Sequence, residues 1–116
     1  MVSIVAEDVA GVPVVHLSGD FLARDTEAFR QYVFDLADQS PESRMVIDLA
    51  GLGHTCSGAL RILVLVQRKL SILEGQLVVT GVSGPILEIL TLTKVDSLLE
   101  LAPSTQSAVT QLARAA

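Results

Sequence analysis

The order of apolar and polar positions divides the chain into short runs that suit strands and longer stretches with helical spacing. Val2 to Ala6 and Val12 to Leu17 are rich in β-branched residues and flank Glu7-Asp8-Val9-Ala10-Gly11, which predicts an antiparallel hairpin with a five-residue loop. Pro13 stands at the start of the second run, a position where its missing N–H breaks no ladder bond. A helix is predicted from Asp25 or Thr26 to Asp38, because Phe29, Tyr32, Val33, Leu36 and Ala37 recur at the spacing of one buried face. Asp25 or Thr26 suits its cap, and Glu27 favours the positive end of its dipole. Gln39-Ser40-Pro41-Glu42-Ser43 then makes a polar turn.

Met45 to Leu49 is a continuous apolar run of the length of a strand buried on both faces. It breaks into a loop of small residues, Gly51, Gly53, His54, Thr55, Cys56 and Ser57, and from Gly58 to Glu74 a helix is predicted. Ala59, Ile62, Leu63, Val66, Leu70 and Leu73 form its core stripe. Leu60 and Val64 widen that stripe in the first half only, which suits either a helix covered on more than one side or a partner surface. Gly75 stops the helix and Gln76 to Gly81 is the next strand, parallel to the one before it. Pro85 fits the start of a short helix capped by Ser83 or Gly84, with Ile86, Ile89, Leu90 and Thr93 on one face. Ser97 to Leu101 suits a last strand. Pro103-Ser104 opens a final helix with Ala108, Val109, Leu112 and Ala113 on its apolar side. The order predicts an α/β fold: one domain, residues 1–116, with a mixed sheet of four to five strands and four helices packed against it.

Composition narrows the function classes. With 50% apolar and 18% charged residues the chain is not a disordered segment. Arg61, Gln67 and Arg68 interrupt the longest apolar run before it reaches the ~18 residues of a membrane-spanning helix, so no membrane insertion is expected. A net charge of −5, eight scattered Lys and Arg, and only three Phe and one Tyr argue against nucleic acid as a partner. Met1-Val2-Ser3-Ile4 lacks the positive segment of a secretory signal, and a lone Cys56 cannot close an intramolecular disulfide. Both features make a cytoplasmic location the expectation.

Catalytic chemistry is thinly supplied. His54, Cys56 and Ser57 are close in sequence, but no third group is identifiable to orient a base, so an enzyme is not expected. Gly51-x-Gly53 is not followed by the Lys-Ser/Thr of a phosphate loop, and its spacing to Gly58 does not fit a dinucleotide fingerprint. His16 has no other ligand-type residue at metal spacing and reads as a polar or half-buried strand residue. Asp20, Asp25 and Asp48 read as single cap or turn carboxylates. No metal and no cofactor are expected. Ser57 has two readings. It is an N-cap hydroxyl bonded to a backbone amide, or it is an acceptor whose phosphorylation would bring about −1.5 to −2 charges to the positive end of a helix and repel a docked partner.

The run V-I-D-L-A-G-L-G-H-T-C-S-G-A-L-R-I-L-V resembles the signature of STAS domains, the family of bacterial anti-sigma factor antagonists: a strand ending in Asp-Leu, a spacer, then Asp-Ser-Ser/Thr-Gly opening a helix. L-S-G-D-F-L resembles the family's L-x-G-x-Leu-Asp segment, and Q-L-V-V-T-G-V-S-G-P-I-L-E-I-L-T-L-T and S-L-L-E-L its later elements. The resemblance implies a small non-enzymatic domain that binds an anti-sigma factor, usually a serine kinase of the GHKL ATPase fold. That kinase phosphorylates the residue before the motif glycine, here Ser57 before Gly58, and a serine phosphatase reverses it. The implied docking face runs from Thr55, Cys56, Ser57 and Gly58 through Leu60, Arg61 and Val64, with Asp20 and Asp25 beside it. The chain departs from the pattern where Thr55 and Cys56 replace the family's Asp-Ser and Leu22 replaces its Asp. These departures keep open a second implied role, a non-phosphorylated STAS scaffold subunit of a stress-signalling assembly or of a transporter or ABC lipid-transport complex.

Overall fold

The computed structural model describes residues 2–40 and 42–114; Met1, Ala115, Ala116 and Pro41, the last inside the turn expected after the first helix, lie outside the described residues. β1 (Ser3–Val9) and β2 (Val12–Gly19) pair antiparallel around Ala10-Gly11, where Asp8 Oδ1 accepts the Gly11 amide at 2.9 Å. The hairpin loop is shorter than its composition implies, because Val9 packs against buried valines and extends the ladder to the Val9–Val12 pair. β3 (Arg44–Leu52), β4 (Gln76–Thr80) and β5 (Glu100–Ala102) add parallel strands in the order β1-β2-β3-β4-β5. The expected last strand begins later than predicted, since Val95–Leu98 is a 3-10 turn entered through Lys94 at a positive φ of 61°.

α1 (Thr26–Gln39), α2 (Ser57–Ile72) and α3 (Gly84–Leu92) cover one face of the sheet, and α4 (Thr105–Arg114) covers part of the other. The two layers explain the unbroken apolar run of β3. Met45 and Ile47 enter the larger core with Leu77 and Val79, while Val46 joins Val12, Val14 and Val78 under Ala108, Val109 and Leu112 of α4. Parallel strands covered by helices on both faces lose their alternation for this reason. Each fully buried Val, Leu or Ile stabilises by roughly 1.5–3 kcal/mol relative to exposure.

The helical stripes hold, but some are narrower than their periodicity. In α1 the buried line is Phe29, Val33 and Ala37, with Tyr32 turned outward at 37% exposure. Ile86 and Leu90 bury the inner side of α3, while Ile89 and Thr93 face outward. Leu73 lies just past the end of α2 and is half exposed, and Ala113 faces away from the α4 core.

Candidate functional site

The connections that follow β2 and β3 meet at one end of the sheet and are laced together by their backbones. Gly53 donates to Gly19 O at 2.8 Å, Phe21 donates to His54 O at 2.8 Å, and Asp20 Oδ1 accepts the His54 amide at 3.1 Å. Gly53 permits that last bond, since a Cβ there would come within 2.7 Å of Asp20 Oδ1. Asp25 Oδ2 accepts the Leu22 amide at 2.8 Å and closes the 3-10 turn Ala23–Asp25 that precedes α1. Both aspartates thus shape the loop through bonds to backbone amides, which a charged acceptor makes stronger than neutral ones.

The N-cap of α2 is Cys56, in extended conformation, and its carbonyl accepts the amides of Ala59 at 3.1 Å and Leu60 at 3.5 Å. Ser57 is therefore the first helical residue. The reading of Ser57 as an N-cap hydroxyl does not match this geometry: its side chain is exposed and makes no hydrogen bond among the described residues. The Ser57 and Gly58 amides, two of the donors a helix start cannot satisfy internally, also lack a backbone acceptor among the described residues. A Cβ at Gly58 would stand 2.7 Å from Thr26 Oγ1, so glycine lets the starts of α1 and α2 touch. Thr26 enters the site by this contact; its sequence reading as a cap carried no sign of it.

Thr55 and Cys56 are half-buried, Cys56 against the larger core, and Arg61 is exposed one turn beyond Ser57 on the same side of the helix. Leu60 is a correction to the expected docking face. It is only 4% exposed, because its side chain fills the larger core rather than the surface, and Val64 beside it is half-buried on the same cluster. The widened apolar sector of α2 is thus largely covered by the fold itself.

A second polar cluster lies on the outer face of the sheet, and the sequence reading missed it. Cross-strand register sets His16 beside Asp48 and Asp48 beside Thr80. His16 Nδ1 lies 2.8 Å from Asp48 Oδ2 and Nε2 lies 3.4 Å from Glu7 Oε1, while Asp48 Oδ1 accepts the Ala50 amide at 3.0 Å and the Thr80 hydroxyl at 3.4 Å. The Asp48 hydrogen bond holds the His16 pKa above its ordinary value, against partial burial and with help from Glu7. The register shifts here, with three residue steps on β3 from Asp48 to Gly51 against two on β2 from His16 to Ser18. Asp48 pins this bulge through Ala50 and so fixes the exit of β3 toward the Ser57 loop. Residues far apart in sequence gave no signal of it, because adjacency depends on strand register. No group of three or more metal-ligating side chains is gathered among the described residues, and no helix there is long and apolar enough to cross a membrane.

A family model described as "Mlab, STAS domain" matches residues 5–100. Among solved structures, an anti-sigma factor antagonist from Mycobacterium paratuberculosis is similar over 97% of this chain and 95% of its own, with 27% identity and a TM-score of 0.87. A putative anti-sigma factor antagonist from Thermotoga maritima has the same fold over 96% of this chain and 95% of its own, at 16% identity and a TM-score of 0.87. The Bacillus cell fate determinant SpoIIAA in its phosphorylated form also shares the fold, over 94% of this chain and 98% of its own, at 14% identity and a TM-score of 0.73. No curated protein sequence matches the chain.

Proposed function

The chain belongs to the STAS domain family, and from that premise we propose that it is a non-enzymatic regulatory binding module, an anti-sigma factor antagonist switched by phosphorylation of Ser57. Its partner is an anti-sigma factor that is also a serine kinase of the GHKL ATPase fold, a serine phosphatase resets it, and it works in the cytoplasm. The observation that carries this reading is the placement of Ser57: exposed, first in α2, its hydroxyl unengaged among the described residues and its own amide and that of Gly58 open. A phosphoryl group attached there meets the positive end of the helix and disturbs no buried contact. The same group adds about −1.5 to −2 charges to the surface that Ser57 and Arg61 present. A partner seated on that surface in the neutral state is then repelled. The similarity to an anti-sigma factor antagonist at 27% identity supports the same role.

Incubation with the cognate kinase and ATP tests the switch. The expected result is one phosphate on Ser57 by mass spectrometry, none on Ser57→Ala, and a partner complex formed by the unmodified chain and lost by Ser57→Asp. An unphosphorylated Ser57 together with a tight Ser57→Asp complex would instead establish the second reading, a scaffold subunit of a stress-signalling or transporter complex. Leu22, Thr55 and Cys56 favour that second reading, since they leave the loop without acidic side chains at those positions.

A further inference from the structure

α2 differs in charge from the rest of the molecule. The chain carries 13 Asp and Glu against 8 Lys and Arg, yet α2 contains Arg61, Arg68 and Lys69 and no acidic residue. Lys69 near the C-terminal end of the helix suits the dipole, but Arg61 near the N-terminal end opposes it, so helix stability does not account for the set. Lys69 is held by Asp38 of α1 at 2.8 Å, while Arg61 and Arg68 have no carboxylate partner among the described residues. Glu27 likewise occupies Arg30.

Beside these charges, the second halves of α1 and α2 enclose an open groove of about 460 Å³. Its apolar lining is Phe34, Leu65, Ile72 and Leu73, with Ile72 82% and Leu73 50% exposed. Two cations lie over the Phe34 ring, Arg30 at 5.7 Å and Lys69 at 5.4 Å from its centre. A strip of exposed apolar surface beside Arg68, which has no carboxylate partner among the described residues, and Lys69, whose charge Asp38 shares, is complementary on an otherwise acidic molecule to a surface that is apolar along one line and acidic at its flank. We propose that this groove is a second docking surface that receives an acidic amphipathic helix of a partner protein. Anionic lipid fits less well, because recognition of a membrane surface takes a cluster of several Lys and Arg, and Arg68 alone lines the groove without a carboxylate partner among the described residues. Ile72 lies roughly 22 Å along α2 from Ser57. The groove begins at Leu65, about two turns along α2 from Ser57, and Ser57 is not among its lining residues, so binding in the groove does not depend on the state of Ser57.

The probe is a helix-stabilised peptide with leucines along one face and glutamates on its flanks, titrated into the isotope-labelled full chain and followed by NMR. A counterpart with lysines in place of the glutamates serves as control. Saturable shifts centred on Leu65, Lys69 and Ile72 are expected with the acidic peptide alone, weakening as salt is added. Arg68→Glu is expected to weaken binding roughly tenfold or more, and Ile72→Asp, at an exposed position whose fold circular dichroism verifies, to abolish it. Ser57→Asp is expected to bind the peptide unchanged. Equal binding of both peptides, no saturable shift, or loss on Ser57→Asp would overturn the proposal. So would the same shifts arising from phosphatidylglycerol vesicles, or from self-association that Ile72→Asp abolishes.

Discussion

His16 joins three strands through two carboxylates, so its protonation is linked to folding. Its folded pKa is raised above the ordinary 6.5, chiefly by the hydrogen bond to Asp48. A raised pKa means that the folded state holds the proton more tightly than the unfolded chain. The stabilisation is therefore complete below about pH 6.5 and is lost as pH rises through the folded value. His16→Asn, which cannot ionise, should narrow its deficit in melting temperature relative to the parent as pH is raised from about 5 to 9; a deficit constant across that range would refute the linkage. The effect is modest, because the imidazole and Glu7 are partly exposed and solvent screens them. Gly58 makes a different residue-scale claim. Gly58→Ala drives a methyl group toward Thr26 Oγ1. Overpacking of this kind costs ~1–3 kcal/mol, offset in part by the ~0.5–1 kcal/mol that alanine gains over glycine in a helix. A net loss of about 1 kcal/mol is expected in denaturant unfolding. In a Thr26→Ala background the same change should become neutral or stabilising, and an equal loss in both backgrounds would remove the contact as the reason for glycine.

Elements differ in how plainly their sequences announce them, and the difference follows from what covers each. α2 is legible because its apolar line, Ala59 to Leu70, meets one continuous core, and its start is marked by a glycine-rich loop. The strands are legible as short β-branched runs. Tyr32, Ile89 and Thr93 are misplaced because periodicity reports the side of a helix but not how much of that side a neighbour covers. Leu60 errs the other way: an apolar residue beside the stripe is read as surface, yet it is buried within the larger core. α4 is short and its sequence signal is weak, yet Ala108, Val109 and Leu112 are buried on Val12, Val14, Val46 and Val78. Arg44 also donates to Leu112 O at 2.7 Å, satisfying a carbonyl near the end of α4. Leu112→Ala should therefore cost about 2–5 kcal/mol despite lying near the end of the chain. Amide exchange should rise across α4 more than across α2; a loss below about 0.5 kcal/mol, the range of surface changes, would mean that α4 is only loosely held.

Across the whole molecule, the candidate site depends on pairings that no local pattern specifies. Ser57 was legible from its place before Gly58, but the support beneath its loop is Asp48, which reads alone in sequence and in three dimensions touches β2, β3 and β4. One oxygen receives the Ala50 amide and the Thr80 hydroxyl, the other His16. Removing the carboxylate leaves the Ala50 amide without its acceptor and frees the bulge that directs β3 into Gly53 and His54. Ala50 is exposed, so water can replace the acceptor and the loss is the net worth of the bond, roughly 0.5–1.5 kcal/mol. Asp48→Ala should lose about that much stability and speed amide exchange at Ala50, Gly53 and His54, with smaller changes in α4. Asp48→Asn retains a side-chain oxygen for Ala50 but no charge for His16. It should protect the loop amides nearly as well as the parent while removing the larger part of the pH dependence assigned to His16, the part that Glu7 supplies remaining. If both variants loosen the loop alike, the charge and not the Ala50 bond sets its geometry; if neither does, the Ser57 loop is held by Asp20 and its backbone contacts to Gly19 and Phe21 alone.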